Sequence, residues 1–115
     1  MSRAAGYDAE DAAATFLAQQ GYEVIARNYT VRGAEIDIIA RDGGVYAFVE
    51  VKFRRSFRYG MPREAVTVAK RRRICMAALR WLQENSLPDV PVRFDVVEQT
   101  PQGMTLLRAA FEYTP

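Results

Sequence analysis

The apolar positions of this chain change period along its length, and the changes mark its elements. Over residues 8–20, Ala9, Ala12, Ala13, Phe16 and Leu17 recur at helical spacing, which predicts a first helix. Asp8, Glu10 and Asp11 fall in its first turn, where the helix dipole favours negative charge, and Gly21 supplies the stop. Over residues 22–29 the period drops to two, with Val24 and Ala26 alternating against Glu23 and Arg27, the pattern of a strand. Two further strands, residues 33–40 and 45–53, follow as a meander around Asp42-Gly43-Gly44. Residues 54–62 read as a loop. Residues 64–85 return to the helical period, with Ile74, Ala77, Ala78, Trp81 and Leu82 as the apolar stripe, and Pro88 and Pro91 end the segment. Residues 91–97 form another strand and residues 104–111 an edge strand. A strand, a long helix and a strand imply a parallel crossover. The expected fold is therefore α/β, ordered α-β-β-β-α-β with a last strand added, in one small domain over residues 1–115.

Three ionisable groups interrupt the strands that otherwise read as buried. Asp37 lies in Glu35-Ile36-Asp37-Ile38, and Glu50 and Lys52 in Val49-Glu50-Val51-Lys52-Phe53. Alternation puts Glu50 and Lys52 on one face, with Val49, Val51 and Phe53 on the other, and turns Asp37 away from both Ile36 and Ile38. A hairpin at Asp42-Gly43-Gly44 brings these charges to one end of the sheet. Carboxylates held against an apolar sheet are costly without a compensating partner. Two of them suit a divalent cation that prefers oxygen ligands, and a lysine two residues on suits an anion or an activated water. The same trio is also satisfied by a buried lysine–carboxylate pair with no metal. Glu10 sits at the edge of the apolar face of the first helix, placed either to look toward the sheet or simply to satisfy the dipole. Glu35 projects beside Asp37, and an ion pair with an arginine is its expected state.

Composition narrows the chemistry. The chain has no histidine and a single cysteine, Cys75. Histidine-dependent triads and nucleases, nearly all zinc enzymes and any internal disulfide are thereby excluded. A lone cysteine in an apolar helical stripe is a buried thiol, and a reducing cytoplasm is the expected location. No Walker loop or Gly-x-Gly-x-x-Gly is present, the first residues lack the apolar stretch of a signal peptide, and no apolar run approaches the roughly 18 residues that span a bilayer, so no membrane is expected as partner.

The net charge of +2 conceals an asymmetry. From Lys52 to Arg73 lie nine basic residues and one acid, a local balance of +8; the rest of the chain holds seven basic and thirteen acidic residues, a balance of −6. A basic block beside a carboxylate cluster is what a metal-dependent enzyme acting on a phosphate polymer requires, whereas a charge run by itself is ordinarily a solvated face. In the loop after the third strand, Arg54, Arg55 and Arg58 alternate with Phe57 and Tyr59, a mix that grips a nucleic-acid backbone and stacks on bases, or merely pins the loop to the core. Lys52 and Lys70 are the only lysines, in a chain that uses arginine at every other basic position. A lysine there is either needed as a compact point charge or placed by chance, as two lysines could fall anywhere.

Asp, then Glu-x-Lys on the next strand, with a glutamate on the preceding helix, resembles the PD-(D/E)xK nuclease superfamily. Ala26-Arg27-Asn28-Tyr29, Glu35-Ile36-Asp37-Ile38-Ile39-Ala40, Phe48-Val49-Glu50-Val51-Lys52 and Arg93-Phe94-Asp95-Val96-Val97 look like the YraN-like family of small bacterial proteins, over nearly the whole chain. Two small-residue positions depart from that family: Ala9 and Ala34 stand where it usually carries glycine, with Gly33 one residue early. The resemblance implies a restriction-endonuclease-like core, a central mixed sheet flanked by helices, close to archaeal Holliday-junction resolvases. It implies that Asp37 and Glu50, with the Val51 carbonyl and with Glu10 from the first helix, bind Mg²⁺ or Mn²⁺ as cofactor. Lys52 would position the attacking water or steady the phosphorus. Lys70 and the arginines at 54, 55, 58, 71, 72 and 73 would hold the phosphate backbone, contacts that position a polymer without reading its sequence. The implied function is a metal-dependent endonuclease on branched or structured nucleic acid, DNA ahead of RNA. Because junction-cleaving relatives pair up, a homodimer is implied too. Two rivals from other classes stand beside it. One is a non-catalytic nucleic-acid-binding or adaptor module on the same scaffold; the other is a protein-interaction domain whose basic block meets an acidic partner.

Overall fold

The computed structural model describes residues 5–54 and 66–115, with the side chains of the first helix described from Glu10 onward. The elements are α1 (Ala5–Gln19), β1 (Glu23–Val31), β2 (Ala34–Asp42), β3 (Val45–Phe53), α2 (Val68–Glu84), β4 (Val92–Thr100) and β5 (Gly103–Phe111). The strands form one sheet in the order β1-β2-β3-β4-β5, antiparallel except for β3 and β4, which run parallel on either side of α2. This is the mixed sheet, meander and crossover expected from the hydrophobic periods.

Helix α1 covers one face. Ala13 and Leu17, four residues apart, are fully buried against Ile38, Ala40, Ala47, Val49 and Val97. The helix ends where Tyr22 N–H reaches the Leu17 carbonyl (3.0 Å) and Gly21 N–H the Ala18 carbonyl (3.1 Å), with Gly21 at φ +94. That left-handed position carries a steep penalty for a side chain, which is why glycine stops the helix here. Helix α2 covers the opposite face with Ile74, Cys75, Ala77, Ala78, Trp81 and Leu82, over Ile36, Ile39, Phe48, Phe94 and Val96. Phe48 links the layers, meeting Trp81 edge-on at 6.0 Å and Phe94 at 5.8 Å. Cys75 is a free, buried thiol as expected. The second helix begins later than the period suggested. Thr67 is extended and accepts the Lys70 N–H at 3.2 Å, so its hydroxyl caps the first turn. Glu64 lies outside the described residues.

A charged network ties the far end of the sheet. Asp95, with no exposed surface, accepts from Arg93 Nε (2.9 Å), the Tyr22 hydroxyl (2.6 Å) and the Ala109 N–H (2.9 Å). Ala109 has φ +54 at the register shift of β4 against β5, so the carboxylate holds a bulge in the edge strand. Arg93 also reaches Asp42 at 2.7 Å, joining β4 to the β2–β3 turn. Each oxygen of this buried acid is met, which makes the network a brace. No helix among the described residues is long and apolar enough to cross a membrane.

Candidate active site

The site forms where two strands part. The β2–β3 ladder runs from Asp42 opposite Val45 to Ile38 opposite Val49 and stops there. Beyond that point β2 stays paired with β1 as far as Ala34, and β3 with β4 as far as Phe53. The next residues in line are Asp37 and Glu50, one on each arm of the fork. The Val51 N–H, having lost its ladder partner, donates instead to the Asp37 carboxylate at 2.8 Å. Alternation on β2 breaks here as well. Ile36 packs in the α2 layer and Ile38 in the α1 layer, so Asp37 does not simply face away from both, contrary to the expectation from period two. In the neighbouring strand Asn28 adopts φ +54, between Arg27, paired with Ile38, and Tyr29, paired with Ile36. The local irregularity spans both strands and turns the Asp37 backbone into the fork. Gly33, at φ +85, occupies the turn between β1 and β2, where its missing Cβ is needed.

Both carboxylates are buried: Asp37 is 9% exposed and Glu50 6%. Burial, and then the negative charge of Glu50, push the Asp37 pKa up to about 7, with Glu10 and Glu35 adding to the effect and the Val51 N–H opposing it. Glu50 is matched by cations. Lys70 Nζ donates to its Oε1 at 2.6 Å and Lys52 Nζ lies 3.5 Å from the same oxygen. Burial and the adjacent Lys70 ammonium hold the Lys52 pKa below its usual value, against the pull of Glu50. For Lys70, burial works against the charge, but the bond to Glu50 and the negative charges of Glu50 and Asp37 raise the pKa. No described cation forms an ion pair with Asp37. Two buried acids therefore share a fork in which, among the described residues, only Glu50 forms an ion pair.

A cavity of about 200 Å³ opens over this fork, lined by Asp37, Glu50, Lys70, Glu35, Arg73 and the Gly33-Ala34 turn. The structure brings Asp37, Glu50, Lys52 and Lys70 together. Glu10 stands on the α1 side, half-buried. Burial and then the charges of Glu35 and Glu50 raise its pKa, while Arg27 lowers it. It does not complete a three-acid cluster, and no group of three metal-ligating side chains occurs among the described residues. The donor set is thus two carboxylates beside the Val51 backbone, which fits Mg²⁺ or Mn²⁺, ions that take one or two protein carboxylates and keep several waters. It does not fit zinc.

The basic residues divide. Lys70 and Arg73, one helical turn apart, line the cavity. Arg71 instead donates to the Val66 carbonyl at 2.9 Å and covers the Phe111 ring at 5.6 Å, and Arg72 donates to the Pro115 carbonyl at 3.1 Å. Arg54 lies 3.5 Å from the buried Glu98, an internal pairing. Arg55 and Arg58, with Phe57 and Tyr59, lie outside the described residues. The ion pair with an arginine expected of Glu35 does not form among the described residues; the Thr30 hydroxyl donates to it at 3.2 Å. Sequence reasoning placed Lys70 among the backbone-holding cations and missed its contact with Glu50. The available signal was its being one of two lysines in an arginine-rich chain.

A family model described as "Uncharacterised protein family UPF0102" matches residues 9–98, which include every residue of the fork. The chain is 54% identical over 101 residues to a UPF0102 protein of Symbiobacterium thermophilum, covering 88% of this chain and 86% of that relative. It is 45% identical over 108 residues to one of Lachnoclostridium phytofermentans, covering 93% and 92%. With one of Geobacter sulfurreducens it shares 50% over 95 residues, 83% of this chain and 74% of the relative.

Proposed function

We propose, for a chain that belongs to uncharacterised protein family UPF0102, the YraN-like family its motifs resemble, the work of a metal-dependent nucleic-acid phosphodiesterase of the PD-(D/E)xK kind. The observation that carries this reading is Asp37: a buried carboxylate beside Glu50, at a fork open to a cavity, with no ion-pair partner among the described residues. Proteins seldom bury such a charge for stability, and a titratable group perturbed by burial and a like charge in a cleft marks a functional site.

Asp37 and Glu50 would hold Mg²⁺ or Mn²⁺, which when bound neutralises charge on the phosphate and activates water. Hydrolysis forms a bond from the water oxygen to phosphorus and breaks the bond from phosphorus to the sugar oxygen, which takes up a proton. Lys52, 3.5 Å from the Glu50 carboxylate, would orient that water or meet the phosphate. Lys70 and Arg73 line the cavity and would grip the neighbouring phosphate oxygens. Glu10 adds negative potential from the α1 side and strengthens the preference for a cation. The backbone contacts carry no sequence information, so discrimination would rest on substrate shape, as in a branched DNA.

The test is incubation with Mn²⁺ and a panel of linear, single-stranded and four-way-junction DNAs. Cutting by the wild type that disappears in Asp37→Asn and Glu50→Gln supports the reading; equal cutting by Asp37→Asn overturns it. The second reading, a nucleic-acid-binding module that does not cut, draws support from Glu50 being already paired with two lysines. It predicts salt-sensitive binding with the same affinity in Mn²⁺ and in chelator.

A further inference from the structure

Lys70 stands in a place that helix energetics alone disfavours. It is the third residue of α2, and Arg71, Arg72 and Arg73 follow it, with no acid in the first turn. The dipole of a helix repels cations from this end, at a cost of about 0.3–1 kcal/mol each. What holds Lys70 there is Glu50, 2.6 Å from its ammonium, which also approaches Lys52 at 3.5 Å. The Thr67 hydroxyl fixes the backbone of Lys70 by accepting its N–H, while the side chain stays about one-third exposed at the cavity wall. The backbone is pinned, while the four-carbon stem has rotatable bonds enough to carry its ammonium elsewhere along the cavity.

We propose that Lys70 is a built-in counter-ion for Glu50 that yields its place to a divalent cation and then becomes a phosphate ligand, so that metal and nucleic acid reinforce each other's binding. This rests on the metal-site reading above. Glu50 now faces two ammonium groups. A divalent cation added without rearrangement would put four positive charges beside the two carboxylates of the fork. At separations of a few ångströms in a partly desolvated site that crowding is strongly unfavourable. Lys70 is the group able to leave, because it reaches Glu50 from another element and borders the open cavity, whereas Lys52 shares a strand with Glu50. Once displaced, its ammonium lies in the same cavity as Arg73, and a phosphate offers both of them the negative charge that Glu50 has given to the metal. Linkage then requires the effect to run both ways: metal raises affinity for the polymer as much as the polymer raises affinity for metal.

Two measurements on the full chain test this without any assay of cleavage. The first is calorimetric titration with Mn²⁺ of the wild type, Lys70→Met and Lys70→Arg. Removing the competing charge in Lys70→Met is expected to tighten Mn²⁺ binding on the order of tenfold, within the usual range of coupling between sites, while Lys70→Arg stays near wild type. Wild-type binding with unchanged or weaker binding by a folded Lys70→Met overturns the displacement. If neither chain binds Mn²⁺, the metal-site reading itself falls and the displacement with it. The second measurement needs no variant. With only two lysines in the chain, mass spectrometry assigns acetylation by a water-soluble N-hydroxysuccinimide ester to Lys52 or Lys70 directly. Saturating Mn²⁺ is expected to raise Lys70 labelling severalfold, and adding a four-way DNA junction to suppress it. Labelling of Lys70 indifferent to Mn²⁺ overturns the proposal.

Discussion

Asp37→Asn should make the metal-free protein more stable at neutral and alkaline pH, because it removes a charge that the fold tolerates poorly. A carboxyl that ionises at 3.8 when unperturbed does so near 7 in the fork, chiefly through burial and then through Glu50. At 1.36 kcal/mol per pKa unit, that difference places about 4 kcal/mol against the charged form. With 9% of its surface exposed, Asp37 is little screened, although part of the energy belongs jointly to Glu50. The folded pKa is raised, so between 3.8 and 7 the unfolded chain releases the proton while the folded chain keeps it. Stability therefore falls as pH rises through this window and levels off above it. Asparagine keeps an acceptor for the Val51 N–H and carries no charge at any pH. Relative to wild type, the variant should gain about 3 kcal/mol between pH 5 and pH 8. The assay is urea unfolding in chelator at several pH values, followed by circular dichroism, with Glu50→Gln as a second arm. Mn²⁺ at about 100 times its Kd should then return about 2.7 kcal/mol to the wild type and nothing to Asp37→Asn. A stability difference between the two chains that does not change from pH 5 to pH 8 would refute the account of Asp37 as a buried acid with no ion-pair partner among the described residues.

Two further outcomes follow from the placement of the arginines. Arg93→Ala should cost about 3–5 kcal/mol in urea unfolding, because it strands the charge of the fully buried Asp95, and Arg93→Ala combined with Asp95→Asn should recover part of the loss. Arg73→Ala should weaken binding to a DNA junction and lower the slope of log affinity against log salt by about one, whereas Arg72→Ala, whose guanidinium turns to the Pro115 carbonyl, should leave the slope unchanged in fluorescence anisotropy.

Hydrophobic period made most of the fold legible. The meander, the hairpin at Gly43-Gly44, the crossover through α2 and the shared face of Glu50 and Lys52 all depend on spacing within a segment, and the backbone obeys that spacing. What the pattern did not carry depends on contacts between segments. Ile36 and Ile38 fall in opposite layers because the strands part at Asp37, and no two-residue repeat encodes a parting. Lys70 meets Glu50 twenty residues away only because α2 crosses the fork with its first turn capped by Thr67. The run Lys70-Arg71-Arg72-Arg73 looked uniform as sequence. On a helix its members point around more than half a turn, so Lys70 and Arg73 reach the cavity while Arg71 and Arg72 are spent on the chain's own carbonyls. Asp95 was visible in a motif block, but the Tyr22 hydroxyl that completes its shell lies 73 residues away.

The fork also explains why the acids lie where they do. Had the β2–β3 ladder continued past Ile38 and Val49, Asp37 and Glu50 would stand on paired strands with their backbone groups bonded to each other. As directly opposed residues of an antiparallel pair they would lie side by side on one face, without room for a ligand. Ending the ladder leaves the Val51 N–H unpaired, and a buried orphan donor costs about 1–3 kcal/mol. The Asp37 carboxylate meets that donor, so the same side chain closes the broken backbone and presents charge to the cavity. Removing it altogether, as in Asp37→Ala, would strip a structural bond and a ligand together, and a loss of metal binding there would not say which was responsible. Asparagine separates them: it preserves the bond to Val51 and removes only the charge. If the fork exists to hold a cation, its fold should outlast the loss of that charge and its affinity for Mn²⁺ should not.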